Sequence, residues 1–196
     1  MEGRDAMDLV LQIAAGIGLA SCAGLRAFLP LFVVGTAARA GWLRLGEGFA
    51  WLDSTPALVI LGTAVVAEIL ADKFPVVDHA LDAAGVFVKP IAGALVIAST
   101  LTATSPLAAT VLGLILGAPL ATGVHLIKAK TRLLSTATTL GFANPVQSLV
   151  EDAASIAGCV LSLVVPIAVL GLVLALATVL LWPRRRDRRP GPRGAA

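Results

Sequence analysis

Long apolar runs separated by short polar segments set the pattern of the chain. Two runs, 9–38 and 153–182, contain thirty residues each, and three shorter runs cover residues 55–71, 86–103 and 107–127. A helix rises about 1.5 Å per residue and the hydrocarbon core of a bilayer is about 30 Å thick, so about 20 apolar residues can cross it. The pattern therefore predicts an all-α fold, a polytopic transmembrane helical bundle.

Residues 133–150 carry no charge but many hydroxyl and amide groups. These polar positions are Ser135, Thr136, Thr138, Thr139, Asn144, Gln147 and Ser148. Unpaired polar groups in hydrocarbon cost several kcal/mol each, so a helix that faces lipid would not carry them. We interpret the segment as a fifth span, shielded inside the bundle, which gives about six spans in all. A surface loop or a re-entrant hairpin at 133–150 is the alternative.

The first apolar run is interrupted by a charge. Arg26 lies near its middle, with Gly24 before it and Pro30 after it. A charged side chain at the centre of a membrane helix costs roughly 2.5–3.5 kcal/mol on the insertion scale, and helices bend or break at glycine and proline. The run is therefore predicted to be a tilted or discontinuous helix with Arg26 pointing inward, towards an acid, a carbonyl oxygen or a substrate anion.

Residues 72–82 have the pattern of a short helix at the membrane surface. Pro75 suits a first turn, and the apolar and polar positions fall on opposite sides. The polar positions Asp78, His79 and Asp82 could place metal ligands on one helical turn. The same spacing also arises by chance on an interfacial helix, and no other metal site is predicted.

A glycine pattern recurs in the first and fourth spans. The two copies are Gly18-x5-Gly24-x-Arg26 and Gly117-x5-Gly123-x-His125. Two three-span halves, 9–103 and 106–182, would be inverted with respect to each other because three is an odd number. Inverted repeats with broken helices are the architecture of many secondary transporters.

The composition and the charge distribution agree with the membrane class. The chain is 58% hydrophobic and 14% charged, whereas soluble domains are roughly 25% charged. Six arginines lie in the tail 183–196, which is interpreted as a disordered cytoplasmic segment. With six spans the N-terminus, residues 1–8, is cytoplasmic as well. The cytoplasmic cations would then be Arg4, Lys73, Lys128, Lys130, Arg132 and the tail, and the opposite side keeps Arg39 and Arg44.

Motifs for a cofactor or a catalytic centre are missing from the sequence. Cys22 and Cys159 both fall in apolar segments and are predicted to be packing residues and not a disulfide. There is no nucleophile elbow, P-loop, zinc-protease helix or dinucleotide fingerprint. No cofactor and no nucleic-acid partner are expected, and an enzymatic activity is not favoured.

Four motifs occur in order along the chain. They are GLRAFLPL (24–31), EILADKFPVVDHALD (68–82), GVHLIKAKTR (123–132) and STATTLGFANPVQSLVED (135–152). With these motifs the chain resembles, from about Ile13 to Pro166, the bacterial membrane family catalogued as domain of unknown function 4126. Where that family tends to have Gly-Gly-Leu-Gly-Asn-Pro, this chain has Leu140-Gly141-Phe142-Ala143-Asn144-Pro145, which retains Asn-Pro but not the second glycine. The resemblance implies a multi-pass protein of the bacterial inner membrane and implies no activity.

Two polar tracks carry the candidate chemistry. Glu68 and Asp72 share one helix face. Asn144, Ser148 and Asp152 share another, at positions i, i+4 and i+8. In the six-span topology Asp72 and Asp152 lie on opposite sides of the membrane, so the two tracks would be the two mouths of one path.

A small transporter or channel is the first functional hypothesis. A small solute or ion would pass between the two halves, with Glu68 as the proton-coupling group because a carboxylate partly out of water can carry a proton. The candidate path residues are Arg26, Glu68, Asp72, Asn144, Ser148, Glu151 and Asp152.

Two alternatives stay open. A lipid-handling protein, either a flippase or a membrane enzyme, could hold a lipid phosphate with Arg26 and the basic segment. The basic residues of that segment are Lys128, Lys130 and Arg132. A structural membrane subunit is the other alternative. Membrane lipids are expected partners in every case, and the small-xxx-small face of Gly113 and Gly117 suggests a homodimer.

Overall fold

The chain folds as a bundle of α-helices. The computed structural model describes residues 2–72, 75–139, 142 and 144–181, and it describes side chains from Met7 onward except at 75–80, 82, 144, 145 and 181. The helices are α1 (Glu2–Leu25), α2 (Phe28–Arg39), α3 (Thr55–Ala71), α4 (Pro75–Thr100), α5 (Pro106–Leu112), α6 (Ala118–Thr139), α7 (Asn144–Val164) and α8 (Pro166–Leu181). A short 3-10 helix at Ala50–Asp53 precedes α3, and a π-helical turn at Gly113–Gly117 joins α5 to α6.

Several helices have the length and composition of membrane spans. In the described part of the chain, four stretches are long and apolar enough to cross a bilayer: Met7–Leu25, Ala83–Thr100, Pro106–Thr139 and Val146–Val164. Three shorter apolar helices accompany them: Phe28–Arg39, Thr55–Ala71 and Pro166–Leu180. The chain is a multi-pass membrane protein, and the predicted all-α transmembrane bundle is confirmed.

The first apolar run forms a helical hairpin. α1 ends at Leu25, α2 begins at Phe28, and Arg26 lies in the turn between them. Pro30 falls in the first turn of α2, where a missing N–H is tolerated because the first N–H groups of a helix have no intrahelical partner. The predicted break is present, but Arg26 stands at the end of two helices and not near the middle of a span.

The second arm of this hairpin returns towards the start of α1. Gln12 in α1 donates a hydrogen bond from Nε2 to Oγ1 of Thr102, at 2.8 Å, just after the end of α4. Gly46, seven residues after α2, donates its N–H to the carbonyl of Ser99 at 2.8 Å. If α2 continued in the direction of α1, the two helices would carry the chain about 38 Å from Gln12. Seven residues reach only about 25 Å, so α2 must run antiparallel to α1.

The segment predicted to be a separate surface helix belongs to α4. The backbone from Pro75 to Thr100 is one helix, with Pro90 inside it. Asp78, His79 and Asp82 therefore occupy the first turns of α4. Their side chains, and with them the suggested metal ligands, lie outside the described residues.

α4 crosses the α5–α6 helix in close backbone contact. A methyl group on Gly117 would overlap the carbonyl oxygen of Gly93, and one on Gly113 would overlap that of Ala94. The small-residue face that suggested a homodimer is therefore occupied within the chain. A homodimer stays a prediction, without the support of Gly113 and Gly117.

Residues 133–150 are not a fifth span. They form the last turns of α6, the connection after Thr139 and the first turns of α7. Gln147 donates a hydrogen bond from Nε2 to Oγ1 of Thr131, at 3.0 Å, so the chain reverses between the two helices. Two of the hydroxyl groups that suggested a shielded span bond carbonyl groups of their own helix: Thr138 bonds the carbonyl of Leu134 and Thr139 that of Ser135, at 2.9 and 2.7 Å.

α7 and α8 form one kinked helix that packs antiparallel to α1. The i to i−4 hydrogen bonds continue through the kink at Pro166, since Val165 N–H bonds the carbonyl of Leu161 at 2.8 Å. Cys22 in α1 packs against Gly158 in α7. Gly18, one turn earlier in α1, packs against Ser162 in α7 and Val169 in α8. Cys22 and Cys159 are buried and free, as predicted.

Six helical segments of the described chain thus alternate in direction. They are α1, α2, α3, α4, the continuous α5–α6 and the kinked α7–α8. The end of the bundle that holds the start of α1 and the end of α8 is here called the termini side, and the end with Arg26 the cluster side. About six spans were predicted, but from the wrong elements: residues 9–38 contribute two segments and 133–150 contribute none.

This topology corrects the predicted grouping of charges. Lys128 and Arg132 lie on the cluster side, opposite the N-terminus, whereas Arg39 and Arg44 lie on the termini side. The reason is the turn at Arg26, where the chain reverses its direction, so that residues after it lie on the opposite side from the one predicted. The recurring glycine pattern links α1 with α5–α6. These run in the same direction, because Gly24 packs on Ala121 and Val124 and the next residue, Leu25, is bonded by Lys128, one turn further along α6. The pattern itself is therefore no sign of inversion, and the two halves stay a prediction.

Candidate functional site

Arg26 is the centre of a buried group of charges. Its side chain forms ion pairs with Asp72, at 2.7 Å, and with Asp152. It also donates hydrogen bonds to the carbonyl of Glu68 at 3.0 Å and to Oγ of Ser148 at 3.4 Å. Only 1% of Arg26 is exposed. The guanidinium therefore joins the hairpin turn to the end of α3 and the start of α7.

Two further cations come from one stripe of α6. The buried positions of this helix include His125, Lys128 and Arg132, spaced by three and four residues and so on one face. Lys128 pairs with Glu151 at 3.0 Å and, more distantly, with Asp72 at 3.7 Å. Arg132 pairs with the same two acids, at 3.4 and 3.1 Å. Both cations are 5% exposed. We use "charge cluster" for Arg26, Lys128, Arg132, Asp72, Glu151 and Asp152.

The polar groups left by the helix break are also paired. The Glu68 carboxylate accepts hydrogen bonds from the N–H groups of Ala27 and Phe28, at 2.9 and 3.4 Å, at the start of α2. Lys128 donates to the carbonyl of Leu25, at 3.3 Å, at the end of α1. A carboxylate at a helix N-terminus and a cation at a helix C-terminus both interact favourably with the helix dipole. Side chains from α3 and α6 thus stabilise the break, because they pair the backbone groups on both sides of it.

The charge cluster contains equal numbers of positive and negative groups. Three cations face three carboxylates, so the buried charges balance. Burial alone would raise the pKa of Asp72, but the charges of Lys128, Arg26 and Arg132 outweigh it and hold that pKa below its usual value. A buried charge that loses its partner is costly, so each member depends on the others.

Lys89 and His125 form a second polar contact that the sequence did not suggest. Lys89 Nζ lies 2.9 Å from His125 Nδ1, and both residues are buried. The contact lies between α4 and α6, where Gly85 leaves room for it: a methyl group at Gly85 would come within 3.2 Å of each side chain. The spacing of His125, Lys128 and Arg132 on one helix face was the signal that could have revealed His125.

A small cavity opens beside the charge cluster. Its volume is about 130 Å³. The apolar part of its lining includes Phe28, Leu81 and Val88, and the charged residues at its wall are Glu68, Asp72, Lys89 and Lys128. On the termini side of this cavity the helices are in close contact, because methyl groups on Gly24 or Gly93 would overlap α6.

A groove between α6 and α7 reaches the same lysine from another direction. Its volume is about 350 Å³. Its apolar lining is Leu25, Val124, Ile127 and Val150, and its polar lining is Lys128, Thr131, Gln147 and Glu151. The groove combines an apolar wall with a charged end, as a site for an amphiphile would.

Most of the predicted path residues meet at one place. The structure brings together Arg26, Glu68, Asp72, Ser148, Glu151 and Asp152, together with Lys128 and Arg132 from the basic segment. The expectation that Asp72 and Asp152 lie at opposite mouths is wrong, because both pair with Arg26. Lys130 is exposed on α6, away from the buried stripe. The side chain of Asn144 lies outside the described residues, and no group of metal ligands occurs among the side chains described.

The fold and this site define a multi-pass helical membrane protein with a buried charge cluster at a helix break. A family model described as Domain of unknown function (DUF4126) matches residues 13–186. The chain belongs to this family, which confirms the resemblance drawn from the four motifs. No curated protein and no solved structure matches the chain.

Proposed function

We propose that the protein is a small transporter or channel of the bacterial inner membrane, which moves a small solute or ion along a path controlled by the charge cluster. One observation carries the proposal: six buried charges meet at a break between two helices and beside a cavity. Ionisable groups are costly in membrane segments, and where they occur they commonly mark ion pathways and proton relays. Broken helices at charged sites are a recurrent feature of transporters.

The charge cluster has the properties of a gate. Asp72 is shared by three cations and Glu151 by two, so partners can be exchanged without leaving a charge alone. The members come from α3, α6, α7 and the hairpin turn, so a relative movement of these elements would rearrange the cluster. The close packing of Gly24 and Gly93 on the α5–α6 helix supports a state in which the path is closed on the termini side.

Glu68 is the residue that we assign to proton coupling. Among the described residues its carboxylate is held by two backbone N–H groups and by no basic side chain. Protonation of Glu68 would therefore leave no buried cation without its partner. It lines the cavity, so a proton from the cluster side can reach it.

The distribution of basic residues supports cytoplasmic termini. Of the fifteen Lys and Arg residues, Arg4, Arg39 and Arg44 belong to the termini side, and six more follow the end of α8 in the sequence. Of the other six, Arg26, Lys89, Lys128 and Arg132 are buried. The positive-inside rule then puts the termini side in the cytoplasm and the charge cluster near the outer face.

Lipid handling is the second candidate, and the groove between α6 and α7 favours it. An acyl chain could lie along Leu25, Val124 and Val150 while Lys128 contacts a lipid phosphate. In that case the substrate would enter sideways from the bilayer and not through the cavity.

Flux measurements in proteoliposomes test the two candidates. Vesicles are loaded in turn with chloride, acetate, phosphate, potassium or sodium, and efflux is compared for the wild type, Lys128→Gln and Lys130→Gln. We expect flux of at least one probe, a change of about tenfold or more in K128Q, and no change in K130Q, because Lys130 is exposed on the same helix. Absence of flux above protein-free vesicles for every probe would contradict transport. Scrambling of a fluorescent phospholipid would then support lipid handling. If the protein shows neither flux nor scrambling, the structural subunit is the hypothesis that remains.

A further inference from the structure

We propose that the cavity beside the charge cluster binds a small zwitterion, a solute that carries one ammonium group and one carboxylate, as small amino acids do. The ammonium group would contact Glu68 and the carboxylate would contact Lys89. The inference rests on the proposed transport function, of which it names the substrate class.

The wall of the cavity carries charges of both signs. Among the described residues that line it, Glu68 and Asp72 are acidic and Lys89 and Lys128 are basic. A single ion would add a net charge to this set, and uncompensated charge inside a membrane protein is costly. A zwitterion adds no net charge and interacts with both signs. The lining therefore favours a ligand with one positive and one negative group.

Two of these four wall residues belong to the charge cluster. Asp72 pairs with Arg26 at 2.7 Å, and Lys128 pairs with Glu151 at 3.0 Å. A ligand that bound Asp72 or Lys128 would have to compete with these ion pairs. Glu68 and Lys89 line the cavity outside the charge cluster, and we therefore assign the two ends of the ligand to them.

Glu68 presents a carboxylate that is already fixed in position. Its oxygens accept hydrogen bonds from the N–H groups of Ala27 and Phe28, at 2.9 and 3.4 Å. An ionised carboxylate has about four acceptor sites, so these two bonds leave capacity for an ammonium group. The ammonium group requires the ionised carboxylate, so the solute and a proton would occupy Glu68 in turn. This agrees with the role of Glu68 in proton coupling proposed above.

Lys89 is positioned by a contact with another helix. Its Nζ lies 2.9 Å from Nδ1 of His125, and both residues are buried. With the ring proton on Nε2, the His125 ring is neutral and Nδ1 accepts from Lys89. An ammonium group has three N–H donors, so this contact is compatible with a carboxylate bound at the same Nζ. Glu68 is thus held at the start of α2 and Lys89 at α6, and the two opposite charges come from different helices of the wall.

The dimensions of the cavity restrict the ligand to a small solute. Its volume of about 130 Å³ gives room for only a few heavy atoms, whose carbon atoms would contact the apolar part of the wall. Gly85 also lines the cavity, and a methyl group there would come within 3.2 Å of the side chains of Lys89 and His125. Glycine is less favourable than alanine inside a helix. At this position it keeps space open beside the lysine that would bind the carboxylate.

Titration calorimetry on the purified full-length protein tests the inference without any substitution. Glycine, acetate and methylammonium are titrated in turn, because glycine combines the charged groups of the other two. We expect the wild type to bind glycine at least tenfold more tightly than either single ion. Undetectable glycine binding, or equal affinity for glycine and one of the single ions, would overturn the inference.

Two substitutions test the assignment of the charges, each with an exposed control. Glu68→Gln should abolish the preference for glycine over acetate, and Lys89→Met should abolish the preference for glycine over methylammonium. Glu47→Gln and Lys130→Met should keep both preferences, because both residues are exposed. The ratio of affinities is the readout, since a general disturbance of the fold would weaken all three ligands alike. Folded E68Q and K89M with wild-type ratios would overturn the inference, and the comparison of ligands in the wild type stands if either variant fails to fold.

Labelled glycine, added as a sixth probe to the flux measurement in proteoliposomes, separates this inference from transport. Glycine binding together with glycine flux supports both. Glycine binding without flux of any of the six probes supports the site and contradicts transport. Flux of an ion by a protein that does not bind glycine overturns the inference and leaves the transport function standing.

Discussion

Arg26 and Asp72 form an ion pair of 2.7 Å, although one lies in the turn after α1 and the other directly after α3. The same guanidinium also pairs with Asp152 in α7. Forty-six residues separate the first pair in the sequence and more than a hundred the second. The turn that divides the first apolar run is thus fixed by contacts with distant parts of the chain.

Replacement of Arg26 by alanine should destabilise the protein strongly. Removing one partner from a buried ion pair typically costs about 3–5 kcal/mol, because the remaining charges stay buried without compensation. Here Asp152 would lose the cation it pairs with, and Asp72 would keep Lys128 and Arg132 but lose its shortest ion pair. The measurement is reversible unfolding in detergent, with Lys130→Ala as the exposed control, which should change stability by less than about 0.5 kcal/mol. Equal stability of R26A and K130A would contradict the pairing.

The helical hairpin at Arg26 could be predicted only in part. Gly24, Arg26 and Pro30 are local signals, and they correctly indicated a break. Whether the chain bends or reverses at such a break depends on what pairs with the charge. The partners Asp72 and Asp152 come from α3 and α7, and no local pattern could identify them. The all-α class, in contrast, follows from hydrophobicity, which each segment carries by itself.

Residues 133–150 were misread for a different physical reason. The absence of charge and the richness in hydroxyl groups indicated a shielded span. Threonine and serine can bond the carbonyl one turn back in their own helix, as Thr138 and Thr139 do here, so they need no partner helix. Ser148 is the member of the segment that does contact Arg26, and its place among the path residues stays a prediction.

Substitution of Gly117 by alanine should disrupt the crossing of α4 and α6. The added methyl group would overlap the carbonyl oxygen of Gly93, and backbone cannot move aside as a flexible side chain would. We expect a loss of about 1–3 kcal/mol in unfolding free energy. Gly123→Ala, a few residues further along the same chain segment, is the matched control because nothing lies within 4 Å of its added methyl group. G123A should be neutral or slightly stabilising, and a comparable loss in both variants would argue against this helix packing.

Cys22 and Cys159 offer a chemical test of the contact between α1 and α7. Both thiols are buried and free, and Cys22 Sγ packs directly against Gly158, the residue before Cys159. Oxidation of membranes with iodine should therefore join them in a disulfide. After denaturation the oxidised wild type should take up no maleimide label, whereas Cys22→Ser should retain one reactive thiol. Two reactive thiols in the oxidised wild type would show that the helices do not pack as described.

The pH dependence of stability should include a contribution from Asp72 in acid. The neighbouring cations hold the pKa of Asp72 below its ordinary value of 3.8, in spite of burial. A lowered pKa in the folded protein means that the stabilisation is complete above the ordinary value and declines as the pH falls below it. The decrease in unfolding free energy between about pH 5 and pH 3 should therefore be smaller in Asp72→Asn than in the wild type. Asp53→Asn, at the end of the short 3-10 helix on the termini side, should keep the wild-type slope. An unchanged slope in D72N would contradict the assignment.

Cysteine labelling can determine the orientation of the bundle. In a background without the native cysteines, Glu47→Cys reports on the termini side and Lys130→Cys on the cluster side, since both positions are exposed. If the termini are cytoplasmic, a membrane-impermeant maleimide should label K130C in intact spheroplasts and E47C only after permeabilisation. The reverse result would place the charge cluster at the cytoplasmic face, against the excess of arginine on the termini side. Labelling of both positions without permeabilisation would mean that the helical segments do not alternate across the membrane, because residues 47 and 130 could then not lie on opposite sides.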